Sequence, residues 1–308
     1  MVKLAPGSYT GGFEISGKSV TIFGSGATLN AASGIRTFGV VDNSKLRLVG
    51  LTINNLNAGY AGQAVACESL NGGTTPIADL EDVKIEASQP ILANPCTMTV
   101  QRSRIHALGG SSGSSLVFAS GINAAATVLI DRSTLGGGAG IAGFPGSIVR
   151  ITNSVIANVA GPSSTTGALN SSGRLYVSFS TVINSPVKCS TGTSSWPPCA
   201  VGGGGAGVCF DNSIVLNTDP SAPADTVVGG CVADYTVVYP QATALVGANN
   251  RIGVNPVLAD VVGGDYHLSP LSPAIDAADP AASMALDLDG TERPQGQRLD
   301  MGAFEYKL

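Results

Sequence analysis

VLIDRSTL, residues 128–135, decides the fold, because the chain writes that phrase seven times between Lys45 and Asn217. The other copies are LRLVGLTI (46–53), ADLEDVKI (78–85), MTVQRSRI (98–105), VRITNSVI (149–156), LYVSFSTV (175–182) and VCFDNSIV (208–215). Each has two apolar residues at alternate positions, a polar bend, then a small or apolar residue and a final apolar one. Period two makes each arm a strand with one buried face, and the bend redirects it. The final residues of successive copies lie 20 to 33 positions apart, so a fixed core unit is separated by loops of variable length. One strand pair cannot bury a face alone, so the copies stack in parallel roughly 4.8 Å apart. The expected fold is an all-β solenoid.

Stacking predicts three columns. Leu48, Leu80, Val100, Ile130, Ile151, Val177 and Phe210 form one apolar ladder, and Ile53, Ile85, Ile105, Leu135, Ile156, Val182 and Val215 a second. Burial of such ladders contributes about 25 cal/mol per Å² of apolar surface. The third column, Leu51, Val83, Ser103, Ser133, Ser154, Ser180 and Ser213, turns small beside the bend, where a bulkier side chain would crowd the corner. Bend positions hold Asp82, Arg102, Arg132, Asn153 and Asn212; Asn and Asp tolerate the left-handed backbone of a sharp corner. Val20-Thr-Ile22 reads as a turn before these copies and 233–238 as one after them. The solenoid is expected over residues 1–245, with 246–308 as a C-terminal capping segment.

Composition narrows the function. Among 308 residues only 12% are charged and the net charge is -5, which excludes the clustered Lys and Arg of a nucleic-acid binder. No apolar run approaches the 18 or more residues of a membrane span. Six cysteines in a weakly charged chain favour an oxidising compartment. Proximity in sequence suggests the pairs Cys67 with Cys96, Cys189 with Cys199, and Cys209 with Cys231. No signal peptide is visible at the start, and a trimmed secreted chain is expected.

The opening, LAPGSYTGGFEISGKSVTIFGSGATL (4–29), resembles the first turns of pectin-lyase-like proteins. The ending, DYHLSPLSPAIDAADP (265–280) followed by DLDGTERPQGQRLDMGAFEY (287–306), resembles the terminal module of bacterial choice-of-anchor Q surface proteins. Together these resemblances imply a single-stranded right-handed parallel β-helix, secreted or displayed at a bacterial cell surface; they name no reaction. The ending reads as a lid over the last turn, fixed by a network of Asp276, Asp287, Asp289, Arg293 and Asp300. A calcium site at Asp287 and Asp289 is the sharper alternative, because hard cations want carboxylate oxygens, but the third acidic position and distal Glu of an EF-hand loop are missing. No other cofactor is expected.

With an apolar interior, any chemistry is expected on the outer faces. A lyase needs a carboxylate cluster and a basic group to remove a proton. The segments 91–96, 116–121, 140–146 and 167–173, where the resemblance would place that cluster, hold no acidic residue and no Lys or Arg. Charge gathers instead at Glu81, Lys84, Arg104, His106 and Asp131, with Arg102 and Arg132 at the bends. In ideal stacking Glu81 and Asp131 stand two turns, about 9.6 Å, apart, at the edge of the roughly 6.5–9.5 Å of an inverting glycosidase. His106 is the proton carrier of that set; His267 reads as structural. For binding without catalysis, Trp196, Tyr176 and Phe179 are candidate platforms for sugar rings, helped by Arg102 and Arg132. The sequence is therefore compatible with three functions: a non-catalytic binder of extracellular polysaccharide or cell-surface glycan, a polysaccharide lyase or glycoside hydrolase, and a structural passenger or filament subunit.

Overall fold

A computed structural model describes residues 1–70, 74–109, 115–121, 125–138, 140–159, 168–189, 207–218, 227–228, 231–242 and 245–307. Every third strand in sequence joins the same sheet, giving parallel sheets of ten, eleven and nine strands. The chain is thus a parallel β-solenoid with three strands per coil. Among the described residues the only helix is a single 3-10 turn, Gly59–Gly62. In VLIDRSTL the first arm lies in the first sheet (Ala126–Asp131) and the second arm in the second sheet (Thr134–Gly137). A third strand, Gly140–Gly143, completes that coil.

Both apolar ladders exist as predicted. Register pairs Val100 with Ile130 and Ile130 with Ile151 in the first sheet, and Ile105 with Leu135 and Leu135 with Ile156 in the second. These residues are buried and belong to one interior cluster, which the third sheet completes with Phe38, Val65, Ile91, Val117, Ile141 and Leu169.

The serine column does more than leave room. Each corner residue, from Asp82 to Asn212, holds φ between 45° and 53°, a left-handed conformation costly for side chains other than Gly, Asn or Asp; Arg102, Arg132 and Phe179 adopt it too. The amide after each corner has no ladder partner in its own strand and is met from the next coil. Ser103 N donates to Ser133 Oγ at 3.1 Å, Ser133 N to Ser154 Oγ at 3.1 Å, Ser154 N to Ser180 Oγ at 3.2 Å and Ser180 N to Ser213 Oγ at 3.3 Å. Each hydroxyl also donates to the carbonyl two residues back, as Ser133 Oγ does to Asp131 O at 2.9 Å. A buried hydroxyl with both roles filled ties adjacent coils together.

The C-terminal segment departs from the expected lid. Strand pairing carries the coil past residue 245 to Arg251–Ile252, which pairs with Val237 and Val238. The rest includes an antiparallel pair, Leu258–Asp260 with Asp265–Leu268, and lies against the outer side of the second sheet. Leu268, Ala274, Ala277, Leu299, Met301 and Phe304 pack there on Val155, Ile183, Ile214, Leu216 and Val237 as a second apolar cluster. Gly302 N donates to Asn212 O at 2.8 Å and Ala303 N to Thr181 Oγ1 at 2.9 Å. A Cβ on Gly302 would stand 2.8 Å from Ile214 Cδ1, so only glycine allows this approach.

Cys67 pairs with Cys96 as expected. Cys189 pairs with Cys231, which corrects both remaining assignments. Position on the coil decides: Cys189 leaves the third sheet after Val187–Lys188, and Cys231 leaves it after Val227–Val228, which pairs with that strand on the following coil. Cys199 lies outside the described residues. Closing a loop of 42 residues in sequence restricts the unfolded chain.

Two substitutions test this architecture by chemical denaturation. Ile105→Ala is expected to cost about 2–5 kcal/mol through the cavity left in a buried ladder. Ser133→Ala is expected to cost about 1–3 kcal/mol, because it strands the buried Ser103 amide.

Candidate functional site

The charged residues picked from sequence come together as two sets on neighbouring faces. At the corners between first and second sheets, register aligns Glu81 with Gln101 and Gln101 with Asp131, as the column argument required. Glu81 bonds Arg47 at 2.6 Å and also Arg102; hydrogen bonds from these two guanidinium groups hold its carboxyl below the usual range. Arg102 also reaches Asp82 at 2.9 Å. Asp131 bonds Arg132 at 3.1 Å, Thr152 Oγ1 at 3.0 Å and Asn153 Nδ2 at 3.2 Å. On the outer side of the second sheet, Lys84 stands beside Arg104, and Glu86 beside His106. Lys84 pairs with Glu86 at 2.9 Å, and that bond holds Glu86 low. A general acid must carry a proton near neutral pH; Glu81, clasped by two arginines, is held ionised. At these corners ion pairs join adjacent coils, Glu81 meeting Arg47 on one side and Arg102 on the other.

The expected aromatic platforms are corrected. Tyr176 is only 8% exposed, and Arg150 lies over its ring at 4.2 Å from the centroid. Phe179 is a buried corner residue in the second apolar cluster, with the Arg293 guanidinium 5.3 Å from its ring. Neither offers an open face. Trp196 lies outside the described residues.

The two calcium candidates face different partners. Asp287 is buried and accepts from Thr291 N at 2.7 Å and Glu305 N at 3.0 Å. Asp289 takes His267 Nε2 at 2.8 Å, while His267 Nδ1 meets Asp265 at 2.6 Å. Among the described residues no group of three His, Cys, Asp or Glu is placed to hold a metal ion. Backbone amides already occupy both Asp287 oxygens, so this pair does not suit a hard cation.

Sequence reading passed over the outer side of the third sheet. One outward column runs Glu14, Gly39, Ala66, Leu92, Phe118, Ala142, Asn170. Gly39, Ala66 and Ala142 in it are small, with Leu92 and Phe118 between Ala66 and Ala142. Phe118 packs on Phe144 with ring centroids 4.7 Å apart, and Phe144 is 40% exposed. Nearer the start of the chain, Tyr60 is 62% exposed. Its hydroxyl accepts from Arg36 Nη1 at 2.7 Å and donates to Glu68 Oε1 at 3.3 Å. Arg36 pairs with Glu68 at 2.5 Å and covers one face of the Tyr60 ring, 5.4 Å from its centroid. A Cβ on Gly39 would meet that guanidinium at 2.8 Å, so the column narrows to glycine beneath it. Burial, then the Glu68 carboxylate, raises the Tyr60 pKa and keeps the phenol neutral. The available signal was the run of Gly and Ala in third-sheet strands interrupted by Phe118 and followed by Phe144.

The C-terminal segment is pinned by the network expected of it, with Glu305 in place of Asp289. Arg293 donates to Asp300 O at 3.0 Å and Gly302 O at 2.8 Å and pairs with Glu305 at 3.3 Å. Asp300 accepts from Asp276 N at 2.6 Å and Tyr306 N at 2.7 Å. Burial pushes Asp300 and Glu305 up and Arg293 down.

Where this segment meets the solenoid, burial and then the charges of Asp279 and Asp234 raise Asp211 to about 6. A carboxyl raised on folding favours the protonated native state. Its contribution is therefore full below the ordinary value near 3.8 and is lost as pH rises through about 6. Thermal unfolding followed from pH 4 to pH 7 should show that loss, and Asp211→Asn should remove it.

No family model matches the chain, and no curated protein matches it. The resemblance of the ending to choice-of-anchor Q modules therefore stands on its residues alone. A solved structure of pectate lyase Pel9A aligns over 99% of this chain and 87% of its own, at TM-score 0.46 and 12% identity. The fold rests on the strand pairing above, and so distant a likeness adds nothing about chemistry.

Proposed function

We propose that the chain binds extracellular polysaccharide or cell-surface glycan along the outer side of its third sheet, without catalysing a reaction on it. The observation that carries this reading is the set of rings there. Tyr60 is exposed, and Phe118, with Phe144 packed on it, belongs to an outward column whose other members include Gly39, Ala66, Leu92 and Ala142. Aromatic faces stack on the apolar faces of sugar rings, and the Tyr60 hydroxyl gives one a polar handle. Arg36 and Glu68 fix the Tyr60 ring before any ligand arrives, which lowers the ordering cost of binding. One amide belongs to the face, Asn170, which ends the outward column. The disulfides Cys67–Cys96 and Cys189–Cys231 agree with a secreted or surface-displayed protein. Glu81 held ionised by Arg47 and Arg102 speaks against acid catalysis at the charged face.

A glycan array followed by affinity electrophoresis tests the proposal. Tyr60→Ala and Phe144→Ala should each weaken retention about tenfold, the size of one lost stacking contact. Silence of the native protein on every glycan would remove it. Release of reducing or unsaturated ends that disappears in His106→Ala would replace it with catalysis around Arg104 and His106.

A further inference from the structure

Charge is distributed unevenly among the three faces of the solenoid. Residues 87–101, 107–130, 133–149 and 151–173 contain no Asp, Glu, Lys, Arg or His. Each run carries one third-sheet strand, Gln89–Asn94, Ser115–Ala119, Gly140–Gly143 or Leu169–Ser171, together with the chain before and after it. Four consecutive coils therefore bring no charged side chain of their own to the aromatic face. On the same or adjoining coils the second sheet holds Lys84, Glu86, Arg104 and His106, and the first holds Arg150 and Arg174.

The two ends of the face are charged, but their cations are committed. At the near end Arg36 pairs with Glu68 at 2.5 Å and with Glu14 at 3.7 Å, one guanidinium between two carboxylates. Beyond Asn170, Lys188 on the next strand has a partner of its own. A carboxylate or sulfate laid along this face would lose water without gaining a cation, and would meet the surplus negative charge at one end. Hydroxyls and the apolar faces of sugar rings cost far less to bring there. Spacing sets the length of the ligand. The hydroxyl of Tyr60 reaches Glu68 on the strand Gln63–Glu68, and Phe118 lies two rungs further along, about 9.6 Å in the direction of the axis. A single sugar ring cannot touch both.

Resting on the glycan reading above, we infer that the ligand of this face is a neutral polysaccharide, bound through several consecutive sugars lying across the rungs, and that polyuronates and sulfated glycans are refused.

Affinity electrophoresis of the full chain tests the inference in gels holding neutral polymers (hydroxyethylcellulose, glucomannan, xylan, galactan) or acidic ones (polygalacturonate, alginate). At least one neutral polymer should be retained about tenfold more strongly than either acidic one. Carboxymethylation of that same polymer should weaken its retention about tenfold, and added salt should leave the unmodified polymer's retention unchanged. Asn170→Lys, which places a cation on the face, should narrow the gap between the carboxymethylated and the unmodified polymer. Fragments of the retained polymer should gain affinity up to the length that spans Tyr60 and Phe118. An acidic polymer held as tightly as the best neutral one, or carboxymethylation without effect, overturns the inference. In either case the glycan reading stands if Tyr60→Ala and Phe144→Ala weaken the retention seen, and falls with the inference if they do not. Retention of no polymer removes both.

Discussion

At corner after corner the chain bends through a left-handed residue, and the amide that follows has to find an acceptor outside its own strand. The serine ladder supplies it. Ser133, Ser154, Ser180 and Ser213 each offer a hydroxyl to the coil before and pass their own proton to a carbonyl two residues back. Because this acceptor comes from the neighbouring coil, a one-residue slip would break the bond and turn the aliphatic ladders outward together. Register, interior and the placing of every outward side chain follow from that constraint.

Much of this was legible because a strand has a short period and the phrase recurs. The Leu48-to-Phe210 and Ile53-to-Val215 columns could be written from the sequence, and register confirms them pair by pair. The third strand of each coil was harder to see. Segments such as Gly140–Gly143 and Leu169–Ser171 are short and rich in small residues, so their alternation is weak. That weakness concealed the aromatic face.

The path of the C-terminal segment was missed although the sequence holds a trace of it. Outward positions of the second sheet run Lys84, Arg104, Thr134 and then Val155, Thr181, Ile214, Val237; the neighbouring column runs Glu86, His106, Gly136 and then Ala157, Ile183, Leu216, Tyr239. An outer face that turns apolar partway along a stack needs a cover. Cys67–Cys96 was read correctly, but the other two pairings failed for a related reason: in a coil, nearness follows angular position and turn number, not separation along the chain, as Cys189 and Cys231 show.

The strap along the second sheet divides the stack into unequal halves. Its seat spans the strands from Val155–Ala157 to Val237–Tyr239, with Gly302, Ala303 and Asp279 anchored at Asn212 and Thr181. A turn gained or lost among the earlier coils would change the length of the rod and leave that seat intact. The same event under the strap would move its anchors apart by one rung, so variation in length has room only on the side that the strap leaves bare.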